Sequence, residues 1–188
     1  MKWSVTCLVL IFVFFITTMV SAGDFSDTDL SFHLPVPENA DDRAYLGLAD
    51  DQTFTLGQIR ADMVIVQIFS MYCPICQREA PDVNAMYERV AADPKMSERI
   101  RFIGIGAGNS SFEVNFYKDT YQVPFPLFSD DDFVIHKQLK EVGTPHFIGL
   151  CITPGIGKGY TVFYSRSGEM GDPVAFIDRL VALSGLDF

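Results

Sequence analysis

The sequence predicts an α/β fold in which helices cover a central mixed β-sheet. Three observations carry that expectation. Two apolar runs without polar alternation, residues 64–69 and 100–105, have the composition of strands buried on both faces. Each is followed by a segment with helical apolar spacing. Near the C-terminus two β-type runs, 146–152 and 160–164, are joined by a glycine-rich turn and followed by one last helical pattern. Alternating strands and helices that end in a hairpin and a helix give a sandwich around a mixed sheet.

Taken in chain order, residues 1–22 read as a secretory signal peptide. Lys2 precedes the apolar stretch 7–16, and the small residues around Val20 and Ala22 suit cleavage before Gly23. The same segment left uncleaved would serve as a membrane anchor over residues 3–22. Either way the remainder is exported, to the periplasm or another extracytoplasmic compartment. Residues 23–43, acidic and dotted with prolines, read as a mobile lead-in or linker, and 44–188 as the folded domain. Residues 45–48 and 53–56 flank the polar turn Ala49-Asp50-Asp51-Gln52 and read as an N-terminal β-hairpin extension.

After the strand at 64–69 a helix is expected from Pro74, which suits the first helical position. Its inward residues are Ile75, Ala80, Val83, Met86, Tyr87 and Val90, and Pro81 lies inside it. A helix over 111–121 would turn Phe112, Phe116 and Tyr117 inward, and one over 130–142 would carry Phe133, His136 and Leu139. Residues 123–128 are expected to be extended only briefly. Asp172-Pro173 then opens the last helix, with Val174, Phe176, Ile177, Leu180 and Val181 on its apolar face.

The chain is acidic, with 14 basic against 24 acidic side chains and a formal charge of −10. That charge argues against nucleic acid and against an anionic membrane surface as partners. Export makes disulfides admissible. With Cys7 in the signal segment, Cys73, Cys76 and Cys151 remain, and Cys151 lies in an apolar run where a cysteine behaves as a small, inert hydrophobe. The chemistry is concentrated in Cys73-Pro74-Ile75-Cys76, at a strand-to-helix junction. Backbone N–H groups and the positive end of a helix dipole favour a thiolate there. A second cysteine three residues on stands one turn away and can attack a mixed disulfide formed by the first.

The segment Phe-Ser-Met-Tyr-Cys-Pro-Ile-Cys-Gln-Arg-Glu-Ala-Pro over residues 69–81, with Gly143-Thr144-Pro145 downstream, resembles the TlpA-like thiol–disulfide oxidoreductases of the thioredoxin superfamily. The resemblance covers roughly residues 45–188. It implies a thioredoxin-like sandwich and a redox-active Cys73–Cys76 couple. It also implies Cys73 as nucleophile, Cys76 as resolving thiol, and Glu79 as a buried acid–base group beside Cys76. Pro145 would be cis, and Tyr72, Thr144 and Pro145 would face the partner. No cofactor and no metal are implied. The expected partners are exported proteins bearing thiols or disulfides, apocytochromes among them, together with a redox partner protein, and the expected direction is reductive. Thioredoxin itself carries a buried aspartate where this chain has Gln67, so proton transfer falls to Glu79.

Two other functions compete. Ser70, three residues before Cys73, imitates the hydroxyl residue of peroxiredoxins, although the proline expected upstream of it is replaced by Gln67 and only Arg166 is on offer as a partner for the thiolate. A copper carrier would use Cys73, Cys76 and a histidine, His33, His136 and His146 being the three available. Asn109-Ser110-Ser111 forms a glycosylation sequon, which has meaning in a eukaryotic secreted protein.

Overall fold

The computed structural model describes residues 30–49 and 51–188. The expected signal segment, its expected cleavage point and the first residues of the lead-in lie outside that range. Five strands form the main sheet: β3 (Met63–Phe69), β4 (Ile100–Ala107), β5 (Leu127–Asp130), β6 (His146–Ile152) and β7 (Tyr160–Ser167), in the order β5-β4-β3-β6-β7. β3 runs parallel to β4 and antiparallel to β6, so Ile65 opposes Phe102 on one side and Gly149 on the other. β4 and β5 are parallel, and β6 and β7 antiparallel. The expected mixed sheet is therefore present.

Every residue of β3 is buried, which explains why its sequence does not alternate. Its side chains divide between two cores. Met63, Ile65 and Phe69 pack with α2 (Pro74–Ala91), α4 (Ser111–Tyr121) and α6 (Pro173–Ser184). Val64, Val66 and Ile68 pack with the N-terminal segment and with α5 (Val134–Gln138). The remaining helices are α1 (Ala40–Leu46), the four-residue α3 (Pro94–Ser97) and a single 3-10 turn at Leu56–Gln58.

The N-terminal region departs from expectation. An antiparallel two-stranded extension exists, but it pairs β1 (Leu34–Pro35) with β2 (Thr53–Phe54), Leu34 opposite Phe54. Tyr45 and Leu46 close α1 instead of forming a strand. The Asn39 side chain accepts the Asp41 N–H, Asp41 and Asp42 sit in the first turn, and Gly47 ends the helix at φ 64°. Nor is the lead-in a free linker from Leu30 onward. Leu30, Phe32 and Leu34 are buried in the second core, because every other side chain of this extended stretch faces the sheet.

Two helices are corrected as well. In α4 the inward side chains are Val114 and Tyr117, while Phe112 (78% exposed) and Phe116 face solvent. The helix expected over 130–142 begins only at Val134. Asp130 ends β5, and its two carboxylate oxygens accept the N–H groups of Ile135 and His136, so the acid caps the helix from outside it. Phe133, at φ 57°, makes the turn between them and is largely exposed.

Candidate active site

β3 delivers the chain to the turn Ser70–Tyr72, and Cys73 becomes the N-cap of α2, with Pro74 in its first turn. The Cys73 Sγ accepts the Cys76 N–H at 3.3 Å and lies 3.3 Å from the Thr144 carbonyl, to which its thiol donates. Burial pushes the Cys73 pKa up, but hydrogen bonds from Cys76, from the Thr144 side chain and from the backbone of Cys76 and Ile75 outweigh it. The net value lies below that of an ordinary thiol.

Cys76 differs in kind. It is fully buried, and burial first, then its hydrogen bond to Cys73, pushes it up to about 12. Both are free thiols. One half-exposed thiol is made more acidic than usual, and a second, one turn deeper, is made less so.

The Thr144–Pro145 peptide bond is cis, as expected, and Pro145 is buried with its carbonyl accepting the Gly168 N–H at 2.8 Å. Topology brings the two segments together, because Ile68 at the end of β3 opposes His146 at the start of β6. Glu79 is buried, not a surface charge, at 4% exposure. Its Oε1 accepts the Met170 N–H at 2.6 Å and its Oε2 has no hydrogen-bond partner. Burial raises its pKa against the lowering effect of the Met170 amide, and the nearby charges of Glu169 and Asp82 add to the rise. Tyr72 is 65% exposed, and its hydroxyl donates to Glu113 on α4.

The remaining cysteine and two of the histidines are engaged elsewhere. Cys151 opposes Met63, at the far end of β3 from the Cys73 turn. It is half-buried with its thiol against the Ser184 carbonyl at 3.6 Å, and burial raises its pKa. His146 is buried with one ring nitrogen 2.8 Å from the Ser167 hydroxyl and the other 2.9 Å from Ser165, and the His136 Nε2 lies 2.7 Å from the Val142 carbonyl. Arg166 pairs across the β6–β7 ladder with Phe147. Gln67 is buried, its Nε2 without a partner.

Residues to which the sequence assigned no role also reach the site. Tyr117 donates its hydroxyl to the Cys76 carbonyl at 2.9 Å. Asn109 and Gln77 hold the Met71 backbone in the turn before Cys73. Met170 supplies the amide that holds Glu79. Helical spacing put Tyr117 inward, but the other contacts depend on loops meeting in space and have no signature in the local pattern.

The comparisons with known proteins agree with this geometry. Among solved structures, a secreted Mycobacterium tuberculosis disulfide oxidoreductase homologous to Escherichia coli DsbE superimposes with a TM-score of 0.57 at 17% identity, covering 81% of this chain and 96% of that one. DsbF of the same bacterium gives 0.58 at 19%, covering 82% and 96%. StoA from Bacillus subtilis gives 0.51 at 15%, covering 71% and 92%. At these identities the likeness establishes the thioredoxin-like fold. No curated protein matches the sequence. The model of the AhpC/TSA family matches residues 33–163, a span that runs from the packed lead-in through the cysteine pair and the cis-proline into β7. On that match the chain belongs to the AhpC/TSA family, in its thioredoxin-like form.

Proposed function

We propose that the protein is an exported thiol–disulfide oxidoreductase that exchanges disulfides with protein partners through Cys73 and Cys76. One observation carries this reading. A half-exposed thiol at the mouth of α2, its pKa lowered by the hydrogen bonds around it, stands one turn from a buried thiol whose pKa burial pushes up.

In the reductive direction the Cys73 thiolate attacks one sulfur of a partner disulfide. A mixed disulfide forms and the other partner sulfur leaves as a thiolate. Cys76 then loses its proton and attacks the Cys73 Sγ, which releases the partner's second thiolate and leaves a Cys73–Cys76 disulfide. Two electrons pass to the partner, and a second redox protein must return them. Glu79, buried one turn beyond Cys76 with a raised pKa, is the group to take the Cys76 proton. Tyr72 and Thr144 form the surface offered to the partner, with the buried Pro145 setting the backbone beside Cys73.

Support for export comes from the relative described as secreted and from the leader-like composition of residues 1–22. No helix among the described residues is long and apolar enough to cross a membrane. The direction toward reduction, and exported clients that include apocytochromes, follow from the TlpA-like resemblance.

A thiol peroxidase is the second reading, favoured by the family match and by Ser70. Against it, the Ser70 hydroxyl lies 3.5 Å from both the Asn109 amide nitrogen and the Tyr72 N–H. Arg78, the arginine nearest in sequence, is engaged with the Pro74 carbonyl and with Glu169. Against the copper carrier, His146 has both ring nitrogens bonded, the His136 Nε2 is held by Val142, and no group of three His, Cys, Asp or Glu side chains among the described residues could hold a metal ion.

Trapping separates these readings. With a disulfide-bonded model protein, Cys76→Ser accumulates a mixed disulfide through Cys73 and Cys73→Ser forms none. Rapid sulfenic acid at Cys73 with peroxide, and no mixed disulfide with protein disulfides, would favour the peroxidase.

A further inference from the structure

The turn before Cys73 is held from two directions. The Met71 N–H donates to the Asn109 Oδ1 at 2.8 Å, and the Met71 carbonyl accepts the Gln77 Nε2 at 2.7 Å. Gln77 belongs to α2, so its bond travels with the helix. Asn109 belongs to the connection between β4 and α4, and its bond ties the turn to the sheet.

The asparagine is itself immobilised. It is 0% exposed, its Nδ2 donates to the Gly108 carbonyl at 3.0 Å, and its backbone N–H donates to the Gly106 carbonyl at 3.1 Å. Gly106 lies opposite Phe69, the last residue of the strand that leads to the turn. A Cβ on Gly106 would stand 3.1 Å from both the Cβ and the Oδ1 of Asn109, so the bare strand leaves the room this side chain occupies. Both ends of its amide are engaged and it has no exposed surface.

We propose that Asn109 is a positioning residue of the redox site. By pinning the Met71 amide to the β4–α4 connection, it fixes the turn that carries Cys73 to the mouth of α2 and against Thr144. This rests on Cys73 being the attacking thiol. The physical link is short: Cys73 is two residues from the pinned amide, and its own N–H donates to the Ser70 carbonyl at 3.0 Å within the same turn. Its Sγ meets the Cys76 N–H and the Thr144 carbonyl at 3.3 Å each, contacts that a loosened turn would lengthen. Asn109 touches no reacting atom and acts through the backbone.

The test compares the wild-type protein with Asn109→Ala, reading Met71 amide hydrogen exchange by NMR, the ultraviolet titration of the Cys73 thiolate and the rate with a small aromatic disulfide. In the wild type the Met71 amide is protected although it lies in a turn. In the variant that protection is lost and the thiolate titration moves to higher pH. The rate falls by about threefold to tenfold, the factor expected for one lost hydrogen bond.

A wild-type Met71 amide that exchanges freely overturns the proposal whether or not the variant folds. So does a variant that loses stability while the Cys73 titration and rate stay unchanged. A wild-type Cys73 inert to the disulfide overturns the exchange chemistry and the positioning role with it; a reactive wild type matched by the variant overturns the positioning role alone.

Discussion

Cys73 and Cys76 are the same side chain one helical turn apart, and their surroundings give them opposite tasks. Hydrogen bonds at the helix mouth favour the charged form of one, and burial forbids it to the other. Alkylation of the reduced protein across a pH series should therefore split. Cys73 should react with a midpoint below the ordinary thiol range, while Cys76 should stay unmodified at neutral pH, as mapped by mass spectrometry. Glu79 is the residue where stability and chemistry pull apart. Its raised pKa means that the folded chain keeps the proton to higher pH than the unfolded chain does. Its contribution is thus full at low pH and lost as pH rises through the carboxylate range. Glu79→Gln keeps an oxygen for the Met170 N–H and removes a buried charge. The stability of the variant by chemical denaturation should no longer fall as pH rises through the carboxylate range, while release of the mixed disulfide slows.

At the scale of elements, the connection from β4 to α4 and the extended lead-in matter most. Gly108, at φ 64°, sits directly under the Phe133 ring: an added Cβ would lie 2.0 Å from its Cζ. Gly108→Ala combines a disfavoured backbone conformation with a displaced ring and should cost about 1–3 kcal/mol in denaturant. Phe32 tests whether the lead-in belongs to the fold. It is 6% exposed within the second core, so Phe32→Ala should cost about 3–5 kcal/mol. A loss near zero would restore the linker. Leu30, Phe32 and Leu34 keep a period of two, but it is only three residues deep between the acids before it and the prolines after it. Phe112 and Phe116 show the opposite case, in which helical phase and not apolar character sets the buried face. With Val114 and Tyr117 inward, both phenylalanines point outward. By contrast, the buried strand and Pro74 at the helix start were legible as local requirements of chain geometry, and the cis Pro145 before β6 through the family resemblance. Asn109, Gln77 and Met170 were not, since each bonds to a group that only the finished fold brings near.

Over the whole molecule, the sheet places two chemically distinct ends. Cys73 and the Thr144–Pro145 bond meet at one edge of β3 and β6, while Cys151 sits at the other. The face behind that edge carries a pH liability. Burial first, then the His136 charge, lowers the His146 pKa to about 4 from 6.5. The unfolded chain therefore binds this proton in a window where the folded one does not, and stability is lost as pH falls from about 6.5 toward 4. Denaturation midpoints across that window should fall with pH in the wild type and flatten in His146→Gln. The central claim is that one pair of thiols cycles between bonded and free, and a glutathione redox titration with alkylation mapping tests it most directly. The account predicts a single two-electron transition confined to Cys73 and Cys76, with Cys151 unmodified under native conditions. A transition that involves Cys151, or a Cys73–Cys76 pair that fails to oxidise at any poise, would contradict it.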